Sequence, residues 1–158
     1  FGEKFYFVHG NMDGPAVLDL LRPLPGYLHG RKVKLGEWNL VGLGGSNPTP
    51  FHTPSELSET QIEHILSTSG VDERSILVSH PPPQGLFDEV GDLHVGSTAV
   101  RAAIESRRPL LALCGHIHEQ EGQRLLDDTL VVKLGPALAC RAADISIGDE
   151  INAKFFSF

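Results

Sequence analysis

The 158-residue chain is long enough for one hydrophobic core, and its 41% hydrophobic and 21% charged residues exclude a disordered or fibrous protein. Thirteen Lys and Arg against twenty Asp and Glu leave a net charge of -7 with no concentrated basic stretch, so non-specific nucleic-acid binding is not expected. Cys114 and Cys140 make no Cys-x-x-Cys pair and no apolar run reaches the roughly 18 residues of a membrane span, which points to a single domain over 1–158 that is soluble and cytoplasmic, without a membrane partner, disulfide framework or thiolate zinc site.

Residues 4–8 are rich in aromatic and β-branched types and run into His9-Gly10-Asn11, the pattern of a buried strand ending in a turn. Gly14-Pro15 opens an apolar pattern of Val17, Leu18, Leu20 and Leu21 that predicts a short helix, stopped by Pro23 and Pro25. Three glycine-bounded runs, 27–29, 32–35 and 38–43, predict antiparallel strands. The proline-rich stretch 46–55 reads as a surface loop, after which Ser55 and Glu56 are expected to cap a helix with Ile62, Ile65 and Leu66 as its apolar stripe.

Ser75 to Ser79 predicts a strand that stops at His80 because three prolines follow. After an aperiodic stretch at 84–96, Ser97 is expected to cap a helix reaching Pro109, whose last turn carries Arg107 and Arg108 at the favourable end of the dipole. A strand over 110–114 then runs into Gly115-His116-Ile117-His118, and strands near 124–126, 130–134, 144–147 and 153–156 predict a meander.

Three of these strands break off at Gly or Pro and place a neutral ligand there: Asn11, His80 and the pair His116 and His118. In open α/β sheets, ligands bind beyond the carboxyl ends of the strands, so these residues meet if their strands are neighbours. A His-x-His pair can aim both rings at one region only if the chain turns, which Gly115 permits. Imidazoles with an amide oxygen suit Mn, Fe, Zn or Co better than Mg or Ca. His29 and His64 are expected at the surface, His9 as a hydrogen-bonded core residue, and Asp13 as a residue that orients the turn. Cys114 is expected to be a small core residue.

The ordered triple of Gly10-Asn11-Met12-Asp13, Ser79-His80 and Gly115-His116-Ile117-His118, each after a strand, resembles the calcineurin-like metallophosphoesterases over nearly the whole chain. That resemblance implies an α/β sandwich of two mixed β-sheets flanked by helices, and hydrolysis of a phosphomonoester or phosphodiester through a dinuclear metal centre and a metal-activated water. It also implies that Asn11, His80 and His116 hold one divalent ion and His118 the other, with manganese favoured, and that Asn11 and His118 contact a small phosphate-ester substrate. The family's Asp-x-His and Gly-Asp motifs do not precede Lys4, so a partial domain lacking the first β-α segment is expected, truncated at its N-terminus or with that segment lost or supplied by another chain, and the sheet edge this exposes predicts a homo-oligomer or low solubility. Asp92-Leu93-His94 matches Asp-x-His in letters, but only a permuted chain order would let it serve. Met12 stands where many members carry a proton-donating His, which leaves His94 as the candidate acid or substrate contact. A rival reading is a catalytically impaired scaffold of the same fold that binds a protein partner.

Overall fold

The computed structural model describes residues 5–148 and 150–158, and over these the chain is a mixed α/β structure built on one central sheet. The chain order is α1 (Pro15–Leu21), β1 (Lys32–Leu35), β2 (Trp38–Leu43), α2 (Glu59–Thr68), β3 (Ser75–Ser79), β4 (Glu89–Val90), β5 (Leu93–His94), α3 (Thr98–Arg107), β6 (Leu111–Cys114), β7 (Gly122–Leu126), β8 (Thr129–Lys133), β9 (Arg141–Ile147) and β10 (Ile151–Ser157). The central sheet has the order β1-β2-β3-β6-β8-β7. Its inner strands β2, β3, β6 and β8 run parallel, and the outer pairs β1/β2 and β7/β8 are antiparallel.

Parallel strands must be covered on both faces, and the burial shows how. On one face α2 and α3 bring Ile62, Leu66, Val100 and Ile104 against Val41, Leu77, Ala112 and Val131. On the other, Leu40, Ile76, Leu111 and Val132 pack under the β9/β10 hairpin through Ala153, with Ile145, Ile151 and Phe155 partly buried beside them. The expected meander therefore divides: β7 and β8 extend the central sheet, whereas β9 and β10 leave it to form an antiparallel second layer. No helix among the described residues is long and apolar enough to cross a membrane.

Several local expectations are corrected. The strand expected over 4–8 is reduced to one parallel bridge between Phe7 and Tyr27, with Lys4 outside the described residues. Gly26 permits this approach, since a Cβ there would lie 1.9 Å from the carbonyl oxygen of Phe5. Likewise 27–29 forms no ladder; His29 bridges Gly42 in a single parallel contact. Helix α2 is capped by Ser58 rather than Ser55, with a reciprocal capping box between Ser58 and Gln61. Ser55 is used elsewhere, its N–H donating to Asn11 O at 2.9 Å and its hydroxyl to Asp13 O at 2.5 Å. Helix α3 begins as expected, with Ser97 accepting from the Val100 N–H.

Candidate metal centre

The parallel register sets Ser79 opposite Cys114, so β3 and β6 end side by side and the residues that follow them are neighbours. His80 N–H donates to Leu43 O and Gly115 N–H to His80 O, which carries the alignment one residue beyond each strand. The His80 and His116 rings meet edge to face with centroids 5.0 Å apart. The turn that aims them is made by His116 itself, at φ 70°, and not by Gly115. A left-handed backbone is costly for a residue with a Cβ and persists where surrounding contacts impose it, a pattern frequent at functional sites.

One such contact is Lys133, which is fully buried at the end of β8. Its ammonium donates to the carbonyls of Ile117, Gln120 at 3.2 Å and Leu134 at 2.9 Å. Ile117 is the residue between the two histidines, so a cation on the neighbouring strand pins the middle of the Gly-His-x-His loop.

Asn11 arrives from the opposite side on the Gly10-Asn11 turn. Asp13 holds that turn by accepting from the Gly10 N–H at 2.7 Å, as expected of a turn-orienting residue. The Asn11 amide nitrogen donates to Thr53 Oγ1 at 3.1 Å, and Thr53 in turn donates to Glu56 at 2.8 Å. Hydrogen bonds from Thr49 and Thr53 take the Glu56 carboxyl down to about 2 despite some desolvation. With its nitrogen engaged, Asn11 turns Oδ1 to within 3.2 Å of His80 Nε2.

Burial, followed by the neighbouring His116, pushes the His80 ring down to about 3, and burial, followed by His118 and Lys133, also lowers His116. Both are therefore neutral at pH 7, as ligands must be. Two donors about 2.0–2.1 Å from one ion stand roughly 2.8–3.0 Å apart in octahedral and roughly 3.3–3.4 Å apart in tetrahedral arrangement, and the Asn11–His80 spacing of 3.2 Å lies between the two. His118 is exposed and lines the same cleft as Asn11, His80 and His116. The Asn11–His80 spacing suits two donors on one transition-metal ion, and a neutral imidazole and an amide oxygen are donor types such an ion takes. Among the described residues no cluster of three or more His, Cys, Asp or Glu is assembled for a metal, and a second ion would need carboxylates to offset its charge.

The cleft measures about 1260 Å³, and its lining includes Met12, Phe51 and Pro54 and, from the β4/β5 hairpin, Val90, Leu93 and His94. His94 is half-exposed, and its Nδ1–H donates to Asp88 Oδ1 at 2.7 Å. Asp92-Leu93-His94 lies on this small hairpin rather than at the end of a central strand, so its match to Asp-x-His is one of letters. His9 is buried and shares a hydrogen bond of 2.8 Å with the Tyr27 hydroxyl, the core role expected of it. His29, expected at the surface, instead packs edge-on against His9 at 4.9 Å and accepts from the Gly44 N–H. Gly44 makes the pair possible, because a Cβ there would lie 2.2 Å from His9 Nδ1. His64 is exposed, as expected.

Sequence reasoning missed Thr53, Asp88 and Lys133, each of which orients a site residue from a distant part of the chain. At the N-terminus of α3, Glu59 accepts from Ser97 Oγ at 2.7 Å and Ala99 N–H at 2.8 Å. Cys114 is buried in the core, and desolvation raises its thiol to about 12.

No family model matches the chain. It is 37% identical over 136 residues to the uncharacterized protein MJ1162 of Methanocaldococcus jannaschii, covering 82% of this chain and 62% of that protein. It is 28% identical over 82 residues to the UPF0046 protein K07C11.7 of Caenorhabditis elegans, covering 52% of this chain and 26% of that one. The chain thus spans less than two thirds of these relatives. Among solved structures, TT1561 of Thermus thermophilus superposes with a TM-score of 0.61 at 17% identity, over 90% of this chain and 63% of that one. A provisionally named 5'-nucleotidase from Staphylococcus aureus superposes with a TM-score of 0.54 at 15% identity, over 97% of this chain and 36% of that one.

Proposed function

We propose that this chain, whose fold is metallophosphoesterase-like, carries part of the metal centre of a phosphate-ester hydrolase. At the identities of these solved structures the likeness speaks for the fold alone, so the reaction rests on the site. The observation that carries it is the meeting of His80 Nε2 and the His116 ring, at the carboxyl ends of the adjacent strands β3 and β6, with Asn11 Oδ1 of the Gly10-Asn11 turn, all neutral and two of them 3.2 Å apart. Asn11, His80 and His116 would hold one divalent ion and His118 a second, with manganese favoured. A second ion would need carboxylates that the described residues do not assemble. Bound there, the ions would supply Lewis-acid polarisation of the phosphoryl group and a nucleophile drawn from water.

The chain's own residues do the rest. Thr53 and Glu56 hold the Asn11 amide in the orientation that presents Oδ1 to the site, and Lys133 holds the His116–His118 loop. Burial keeps His80 and His116 unprotonated, so neither needs to lose a proton to bind a cation.

The test is metal content together with Mn²⁺-dependent hydrolysis of bis(4-nitrophenyl) phosphate, for the protein and for the double variant His116→Ala, His118→Ala. Metal and activity present in the first and lost in the second are expected. Metal retained by the double variant sinks the ligand assignment. Neither metal nor activity in either protein selects the scaffold reading, in which the fold is kept to bind a partner and Met12 marks the lost proton donor.

A further inference from the structure

The cleft lining includes His94, which the metal reading does not use and which the buried Asp88 holds. Asp88 has no exposed surface and is held rigidly: its Oδ2 accepts from the Gly85 N–H at 3.0 Å and the Gly96 N–H at 2.9 Å, and its carbonyl accepts from Val95 N–H at 3.0 Å. The remaining oxygen, Oδ1, accepts a hydrogen bond from His94 Nδ1–H at 2.7 Å. The hairpin is tied to the loop across the cleft by Asn47, whose amide nitrogen donates to Val95 O at 3.0 Å. A buried carboxylate on one ring nitrogen leaves the other, Nε2, as the end of the ring available to a ligand, in a cleft shared with Asn11, His80, His116 and His118. A histidine oriented by a rigid carboxylate is the arrangement that acid-base chemistry requires. Met12, which shares the cleft lining, has no proton to give.

We propose that His94 is the general acid for the departing alcohol and that Asp88 is its positioning residue. This rests on the phosphoesterase reading. As hydroxide, formed from water by loss of a proton to solvent, makes its bond to phosphorus, the bond to the ester oxygen breaks and its electron pair stays on that oxygen. The Nε2 proton of the imidazolium passes to the same oxygen, releasing an alcohol, and the neutral ring regains a proton from water.

The carboxylate supports the charged ring. The hydrogen bond to Asp88, then its charge, and more weakly that of Glu89, raise His94 above its ordinary value. Glu89 Oε1 stands 4.0 Å from Nε2. The other titratable groups lining the cleft are His52, Glu59, His80, His116, His118 and Glu119. The acid form is present at low pH and lost as pH rises through the raised value, so removing Asp88 moves that loss to lower pH.

The experiment compares the Mn²⁺-loaded protein with His94→Gln, Asp88→Asn and, as a control on an exposed helix position, His64→Gln. The substrates are bis(4-nitrophenyl) phosphate, whose leaving group departs unaided, and diethyl phosphate, whose ethoxide does not. His94→Gln is expected to lower the diethyl rate by roughly 10²–10⁴-fold and the aryl rate by far less, as loss of a general acid does. Asp88→Asn is expected to shift the alkaline fall of the diethyl profile to lower pH. The His94 ring titration, followed by NMR without metal, should shift the same way, which a merely structural role of Asp88 would not produce. Equal losses on both substrates, or an unmoved titration in Asp88→Asn, would overturn the assignment. An absence of hydrolysis in the unmodified protein would instead bring down the phosphoesterase reading beneath it.

Discussion

Replacing Lys133 by Met keeps the length and apolar stem of the side chain and removes only the ammonium. Three carbonyls then lose their donor: that of Ile117, in a buried bond, and those of Gln120 and Leu134, in part-buried ones that water can replace. A hydrogen bond from a charged donor is worth about 1.5–3 kcal/mol and a replaceable one about 0.5–1 kcal/mol. Against this stands relief of the desolvated cation, whose burial lowers its affinity for a proton. The net cost is about 2 kcal/mol, which at a urea slope of roughly 1–3 kcal/mol/M moves the midpoint down by about 1 M. The second consequence is local. His116 occupies its left-handed backbone because the loop around it is held, and that conformation costs on the order of 1–3 kcal/mol. Freed of the Lys133 pin, the loop should relax and Mn²⁺ affinity should fall by about tenfold or more. Urea unfolding and metal titration of the same preparation check both. An unchanged midpoint with unchanged affinity would refute the reasoning, and a lowered midpoint with unchanged affinity would show that the histidine loop keeps its shape without Lys133.

Acid should weaken the fold before the carboxylates titrate. His9 is pushed down to about 4 and His80 to about 3, burial being the first cause in each, while an unfolded histidine titrates near 6.5. The unfolded state therefore binds more protons across this window, so this stability is complete above about 6.5 and is lost as pH falls toward these folded values. Urea midpoints at pH 7 and pH 4.5 should differ in that direction, and equal midpoints would count against it. Ile62, fully buried where α2 meets the central sheet, should cost about 2–5 kcal/mol when cut to Ala, measured by the same unfolding. A cost below about 1 kcal/mol would mean that the helix layer closes over the space.

What the sequence determined by itself is local in origin. Strand β3 could be read because an unbroken apolar run stops at three prolines, and α3 because Ser97 supplies a cap ahead of a periodic stripe. His80, His116 and His118 could be picked out because they follow apolar strands that stop at prolines or at Gly115, and Asn11 because it sits in the Gly10-Asn11 turn pattern. The first strand failed as a prediction because its aromatic composition is a preference, and pairing depends on whether a partner edge is presented; Phe7 meets only Tyr27. Ser55 looked like a cap from its position, but its hydrogen bonds go to the Asn11–Asp13 turn.

Only the tertiary structure decided that β3 and β6 are neighbours, and hence that His80 and His116 touch across 36 positions of sequence. It alone revealed the orienting residues, because Thr53, Asp88 and Lys133 act through hydrogen bonds whose partners are chosen by the packing of distant segments. A side chain's type and its place in the chain state which bonds it can make. Which one it does make, and therefore whether Asn11 shows the site its oxygen or its nitrogen, is settled only when the sheet brings the partner within reach.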